Sequence, residues 1–253
     1  MGKLIKYEFR KSWMVKAIIL AFTAIFEVMF LIGALSESDD VALTGAVFLM
    51  FTTICSIFII GVLSIFILHK DLNTKQSYML FMTPNSTFKI LGAKIIENFG
   101  SIILFGCMFL LIGLGDITLW AAKNVGVKGM LDLISALVGE VGGSFQLDVM
   151  NVAIANAERI IFWVFTVMVG FFAVVLSACF LNGRRFNGFI SFIVFLVITY
   201  VIKKIFDSSV SIIFGIGTGY SLEKTICSIV YYLILTTVLY IVTASIMDRK
   251  LSV

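Results

Sequence analysis

The feature that most constrains this chain is a succession of apolar runs, most of them about twenty residues long and bounded by charge or glycine. A run of that length, once helical, crosses the roughly 30 Å hydrocarbon core of a bilayer. Inside lipid only helices and closed barrels satisfy their own backbone groups. Barrel strands read as short segments of alternating polarity, whereas the runs here are continuous and cover residues 17–35, 43–68, 95–114, 160–181, 189–206 and 226–246. The chain is 60% hydrophobic and 13% charged, while about a quarter of the residues of soluble proteins carry charge. The expectation is an all-α integral membrane protein with six transmembrane helices, forming one domain over residues 1–253.

The segments between the runs set the topology. Residues 3–13 place Ile5, Phe9 and Trp13 on one side and Lys3, Lys6 and Arg10 on the other, which predicts an N-terminal interfacial helix at an anionic membrane face. Basic residues gather there, between runs two and three (Lys70, Lys75, Lys89, Lys94), in the turn at Arg184 and Arg185, and in the tail at Arg249 and Lys250. The intervening segments are richer in Asp and Glu, so these basic segments and both termini are assigned to the cytoplasm; Lys203 and Lys204 run against the pattern. Residues 116–159 are too interrupted by glycine and charge to cross, and Met130, Leu133, Ile134, Leu137, Val138 and Val141 recur at helical spacing, which predicts an external helical insertion. Residues 207–225 contain Gly215, Gly217 and Gly219 in a short apolar stretch and are expected to form a re-entrant hairpin before span six.

Residues 68–94 read LHKDLNTKQSYMLFMTPNSTFKILGAK and hold Pro84, the single proline. A helical turn through Tyr78 and Phe81 must stop at Thr83, because a residue preceding proline avoids the α region. Thr83 or Ser86 is then placed to cap the next helix. Asp71-x-Asn73-Thr74, Thr83-Pro84-x-Ser86 and Ile90-Leu91-Gly92-x-Lys94 together resemble the first cytoplasmic loop of ABC type-2 permeases. That family has glycine where Asn73 stands, and a Leu-Glu pair that this chain lacks.

The resemblance implies a coupling helix between spans two and three that docks on a separate ATPase through Lys70, Asp71, Thr74, Lys75, Tyr78, Met79, Phe81, Met82, Thr83 and Pro84. Tyr78, Met79, Phe81 and Met82 are the anchors, since aromatic and Met side chains dominate interface cores. It further implies a bacterial inner-membrane exporter for a hydrophobic or amphipathic substrate such as a peptide, an antimicrobial, a drug or a lipid-like molecule. A second permease copy, or a related permease, completes it. The alternative is a plain re-entry turn whose lysines are set by topology.

No GxxxxGK[ST] loop occurs. The chain is therefore expected to bind no cofactor and to be no enzyme, with ATP and Mg held by the partner ATPase; its other surroundings are lipid, not nucleic acid. Cys55, Cys107, Cys179 and Cys227 each fall in a different run, and His69 is the only histidine, so neither metal-ligand spacing nor a Ser-His or Cys-His pair is present. Glu27 is the candidate pathway residue, because a carboxylate near the bilayer centre costs about 2.5–3.5 kcal/mol on insertion scales. Its structural alternative is a hydrogen bond to Thr52, Thr53 or Asn98. Glu97 is expected to be neutralised by Lys94. The rival functions are a secondary transporter or channel working without an ATPase, for which Glu27 is the one intramembrane charge on offer, and a non-transporting sensor or assembly factor.

Overall fold

A computed structural model describes residues 2–36, 38–73, 86–124, 149–181, 187–214 and 222–250. These form α1 (Gly2–Leu35), α2 (Asp39–Asn73), α3 (Thr87–Asn124), α4 (Val149–Leu181), α5 (Asn187–Phe214) and α6 (Leu222–Lys250), with no strand among the described residues. All six are long and apolar enough to cross a membrane, and the protein is a multi-pass membrane protein. At 1.5 Å per residue the helices measure about 42–57 Å, well beyond the hydrocarbon core.

The helices outrun the apolar runs that announce them. α1 is continuous from Gly2, so the amphipathic pattern of residues 3–13 forms the first turns of the first spanning helix. α3 continues past residue 114 through Gly115 and Asp116 to Asn124. A helical glycine costs about 1 kcal/mol relative to alanine, less than an unsatisfied backbone group in lipid. The two ends of the expected external insertion thus belong to α3 and α4, and residues 125–148 lie outside the described residues. Asp207 likewise sits within α5, which runs on to Phe214; residues 215–221 of the expected hairpin lie outside the described residues. The coupling segment 74–85 lies outside them too. Ser86 stands just before α3, its carbonyl accepting from the backbone N–H of Lys89 at 2.9 Å, in the N-cap position.

Hydroxyls inside the apolar helices are satisfied locally. Thr23, Thr52, Thr53, Thr166 and Thr236 each donate to the carbonyl four residues earlier, so they can face lipid or protein at little cost.

The chain divides into two compact units. One comprises Met1–Ile5, Gly61–Ile96 and Met150–Val253, and α4 is its centre. Of the most apolar stretch of α4, 56% is buried, against 11% for α5, whose Phe189, Phe192, Leu196 and Tyr200 face outward. Met168, Val169, Phe171 and Val175 are fully enclosed, and the α4 core packs on Leu68, Leu91, Ala244 and Met247. Tyr232 of α6 meets Phe162 and Phe165 at centroid distances of 5.2 and 5.1 Å. Gly61 admits the Trp163 indole, since a Cβ there would lie 2.6 Å from the ring. Ala173 and Ser177, a small-xxx-small pair, are both buried, and the Ser177 hydroxyl bonds that of Ser191 on α5.

The other unit comprises Lys6–Ile60 and Glu97–Val149. Its α1–α2 hairpin closes on two glycines: a Cβ on Gly33 would collide with the backbone of Ala42, and one on Gly45 would lie 2.7 Å from the Phe30 nitrogen. Phe30, Ala42 and Leu49 form the small core beside them, and Phe26 stacks on Phe48 at 5.1 Å.

Candidate functional site

Two polar couples sit inside the α1 unit. Ser12 and Lys16, one turn apart on α1, face Glu97 and Ser101, one turn apart on α3. Lys16 Nζ donates to Glu97 Oε1 and, at 2.6 Å, to Ser101 Oγ. Ser12 Oγ donates to the same carboxylate oxygen at 2.9 Å, and Ser101 Oγ lies 3.1 Å from it. The Phe9 ring covers the ammonium at 4.1 Å, adding a cation–π contact. Lys16 is 2% exposed. A charge so placed persists only with an opposite charge and with its remaining hydrogen-bonding capacity filled, and these four side chains supply both.

The second couple joins like groups. Glu27 on α1 and Asp116 on α3 lie near enough to interact electrostatically. Glu27 stands eight residues before the end of α1 and Asp116 eight before the end of α3, about 12 Å of helix in each case. Glu27 Oε2 and Asp116 Oδ1 are buried with no hydrogen-bond donor among the described residues. Asp116 also borders a cavity of about 640 Å³ whose other walls include Phe30, Leu43, Ile117, Trp120 and, at its polar edge, Asp39. An apolar cavity with a few convergent polar groups has the make-up of a small-molecule site.

In the α4 unit, Lys94 Nζ donates to Asp71 Oδ2 at 2.7 Å, with Lys94 1% and Asp71 2% exposed. The pair bridges the end of α2 and the start of α3, the two stems of the predicted coupling loop. Of the coupling residues, Lys70 is exposed and Asp71 turns inward. Thr74, Lys75, Tyr78, Met79, Phe81, Met82, Thr83 and Pro84 lie outside the described residues.

These pairings revise two expectations. Glu97 is neutralised by Lys16, while Lys94 takes Asp71, because the helices that pack together bring closer partners than the next turn of the same helix. Glu27 meets neither Thr52 nor Thr53, whose hydroxyls bond their own helix, nor Asn98, which donates to the Ile60 carbonyl at 3.1 Å. Lys16, Glu97 and Asp116 also lie within helices long and apolar enough to span, in the same unit as Glu27. The Ser12/Lys16 and Glu97/Ser101 spacings were the readable signal for the first couple; nothing local points from Glu27 to Asp116. Comparison with protein-family models, with curated proteins and with solved structures returns no match.

Proposed function

We propose that the chain is the permease subunit of an ATP-driven ABC exporter of the bacterial inner membrane, moving a hydrophobic or amphipathic substrate outward. ATP and Mg are bound by a separate ATPase, a second permease copy or a related permease completes the pathway, and both termini are cytoplasmic. The observation that carries the reading is the Thr83-Pro84-x-Ser86 loop between the second and third of six spanning helices, with its stems tied by Asp71 and Lys94. A loop anchored in that way passes a push from a docked ATPase to both spans, and coupling needs only that the partner bind the two arrangements of those spans with different affinity.

Pull-down from native membranes with mass spectrometry tests the partner directly. An ATPase is expected in the eluate and is expected to be lost when Tyr78, Met79, Phe81 and Met82 are all alanine, with membrane insertion unchanged. Unaltered co-purification and transport in that variant refute the docking site.

One observation favours a second reading, an ion-driven transporter needing no ATPase: Lys16 and Glu97, on helices long and apolar enough to span, form a buried ion pair. Substrate uptake by proteoliposomes holding only this chain, driven by an imposed ion gradient, would select that reading.

A further inference from the structure

Glycine brings α1 and α2 into backbone contact at Gly33 and Gly45. Beyond those contacts the Phe26 and Phe48 rings stack across the hairpin at 5.1 Å, and from that pair toward the start of α1 the two helices border an apolar groove of about 360 Å³. Its walls run from Val15 to Phe26 on α1 and from Phe48 to Ile59 on α2, about 16 Å along each helix. The two hydroxyls in the wall turn back on their own helix, Thr52 donating to the Phe48 carbonyl and Ser56 to that of Thr53, both at 2.8 Å. Apart from the weakly polar Cys55 thiol, the groove offers a ligand hydrocarbon alone. Length and section select the occupant. About 16 Å is the depth of one leaflet of a roughly 30 Å hydrocarbon core. Spread over that length, the volume has a section of about 22 Å². That is room for a single hydrocarbon chain, whereas a helix about 10 Å across needs about 80 Å².

The open end of the groove marks the leaflet. Lys11 stands one turn before Val15 on the same face of α1, half-buried, and Lys6 and Arg10 beside it are exposed. Tyr7 and Trp13 are exposed as well, and such rings settle at headgroup level, which sets these basic turns among the lipid phosphates. Glu8, the single acid before Glu27, is turned inward at 4% exposure. We infer that the α1–α2 groove binds one acyl chain of an anionic phospholipid from the leaflet that holds the start of α1. The headgroup lies among Lys6, Arg10 and Lys11, and the chain tip stops at the Phe26–Phe48 stack. Bulk lipid is as apolar as the groove, so retention rests on the charge of the headgroup and on the fit of the chain. The site stands independently of the ABC reading, since it requires no ATPase.

The test is native mass spectrometry of the full chain in non-ionic detergent, titrated with phosphatidylglycerol and with phosphatidylcholine of the same acyl chains. The wild type is expected to retain one phosphatidylglycerol with a preference of about fivefold or more over phosphatidylcholine, the effect of one basic side chain at a headgroup. Its affinity is expected to rise with chain length until the chain reaches the Phe26–Phe48 stack, and then to level off. Thr52→Trp, which fills the groove, is expected to lose the retained lipid. Arg10→Gln/Lys11→Gln is expected to keep one lipid and lose the preference between headgroups. Added phosphatidylglycerol should raise the melting midpoint of the wild type and leave that of Thr52→Trp unchanged. Equal binding of the two lipids by the wild type, retention of the lipid by Thr52→Trp, or a preference that survives Arg10→Gln/Lys11→Gln overturns the assignment. So does a lipid-free wild-type dimer that Thr52→Trp dissociates, which would seat a second copy in the groove. If Thr52→Trp does not fold, Ile18→Trp on the facing wall decides.

Discussion

Lys16 and Glu97 provide the sharpest test of how this membrane protein tolerates buried charge. Removing one partner of a buried ion pair costs about 3–5 kcal/mol, whereas replacing both by apolar groups of similar size is often neutral or stabilising. Lys16→Met leaves Glu97 accepting from Ser12 at 2.9 Å and beside Ser101 at 3.1 Å. Those hydroxyls keep the stranded carboxylate partly satisfied, so the cost falls at the lower end, about 3 kcal/mol. Glu97→Leu leaves the ammonium with Ser101 at 2.6 Å and the Phe9 ring at 4.1 Å, and no anion; the cost is at the upper end, about 5 kcal/mol. The double variant Lys16→Met/Glu97→Leu strands nothing and should lie within about 1 kcal/mol of the wild type. Thermal unfolding in one detergent reads these directly. At about 2–4 °C per kcal/mol for a chain of this size, the midpoint should fall by about 6–12 °C for Lys16→Met and about 10–20 °C for Glu97→Leu, then recover in the double variant. A double variant whose loss equals the sum of the two single losses would show that the side chains act independently, and would refute the pairing.

Further outcomes follow from the same geometry. Gly45→Leu drives a side chain into the Phe30 backbone and should destabilise the α1–α2 hairpin by about 1–3 kcal/mol, read as a lower melting midpoint; an unchanged midpoint removes the close approach. Asp71→Ala and Lys94→Met should each lower the midpoint, and combining them should restore part of the loss, because the 2.7 Å pair strands a charge when cut on one side only; strict additivity speaks against it. In a cysteine-free background, an impermeant thiol reagent applied to intact cells should label Asn124→Cys at the end of α3 and spare Asn187→Cys at the start of α5. The reverse pattern overturns the topology.

The number and class of the elements were legible because lipid leaves a chain few options: a long apolar run has to become a helix. The helix ends were not, since hydropathy reports where the chain prefers lipid and not where helical hydrogen bonding stops. Residues 116–124 read by composition as the start of an external helical insertion, yet they finish α3. Charge partners were the least legible. Lys94 and Glu97 lie three apart on one helix, a spacing that invites a local pair, but each turns to a different helix, Lys94 to Asp71 and Glu97 to Lys16. Which helices are neighbours is tertiary information, and a single sequence does not contain it in local form. The polar faces themselves were there to be read: a Ser and a Lys one turn apart, and a Glu and a Ser one turn apart, in otherwise apolar helices.

The two units are held together internally by different physics, and this bears on which helices can respond to a ligand. In lipid an apolar side chain gains little by exchanging a lipid neighbour for a protein one, so helix association rests on close packing and on polar contacts. α4 has the packing: side chain after side chain along it is fully enclosed, and shifting it would open voids throughout the core. α1 buries only 22% of its most apolar stretch. It is positioned within its unit by the two glycine contacts with α2 and by Lys16 against Glu97. Polar contacts of this kind are discrete, made or broken as a proton or a charged group arrives or leaves, whereas a packed core resists continuous deformation. A ligand that changes the charge beside Glu97 therefore acts first on how α1 sits against α3, whereas in the α4 unit the buried Asp71–Lys94 pair lies at the ends of α2 and α3 and the enclosed α4 core is apolar.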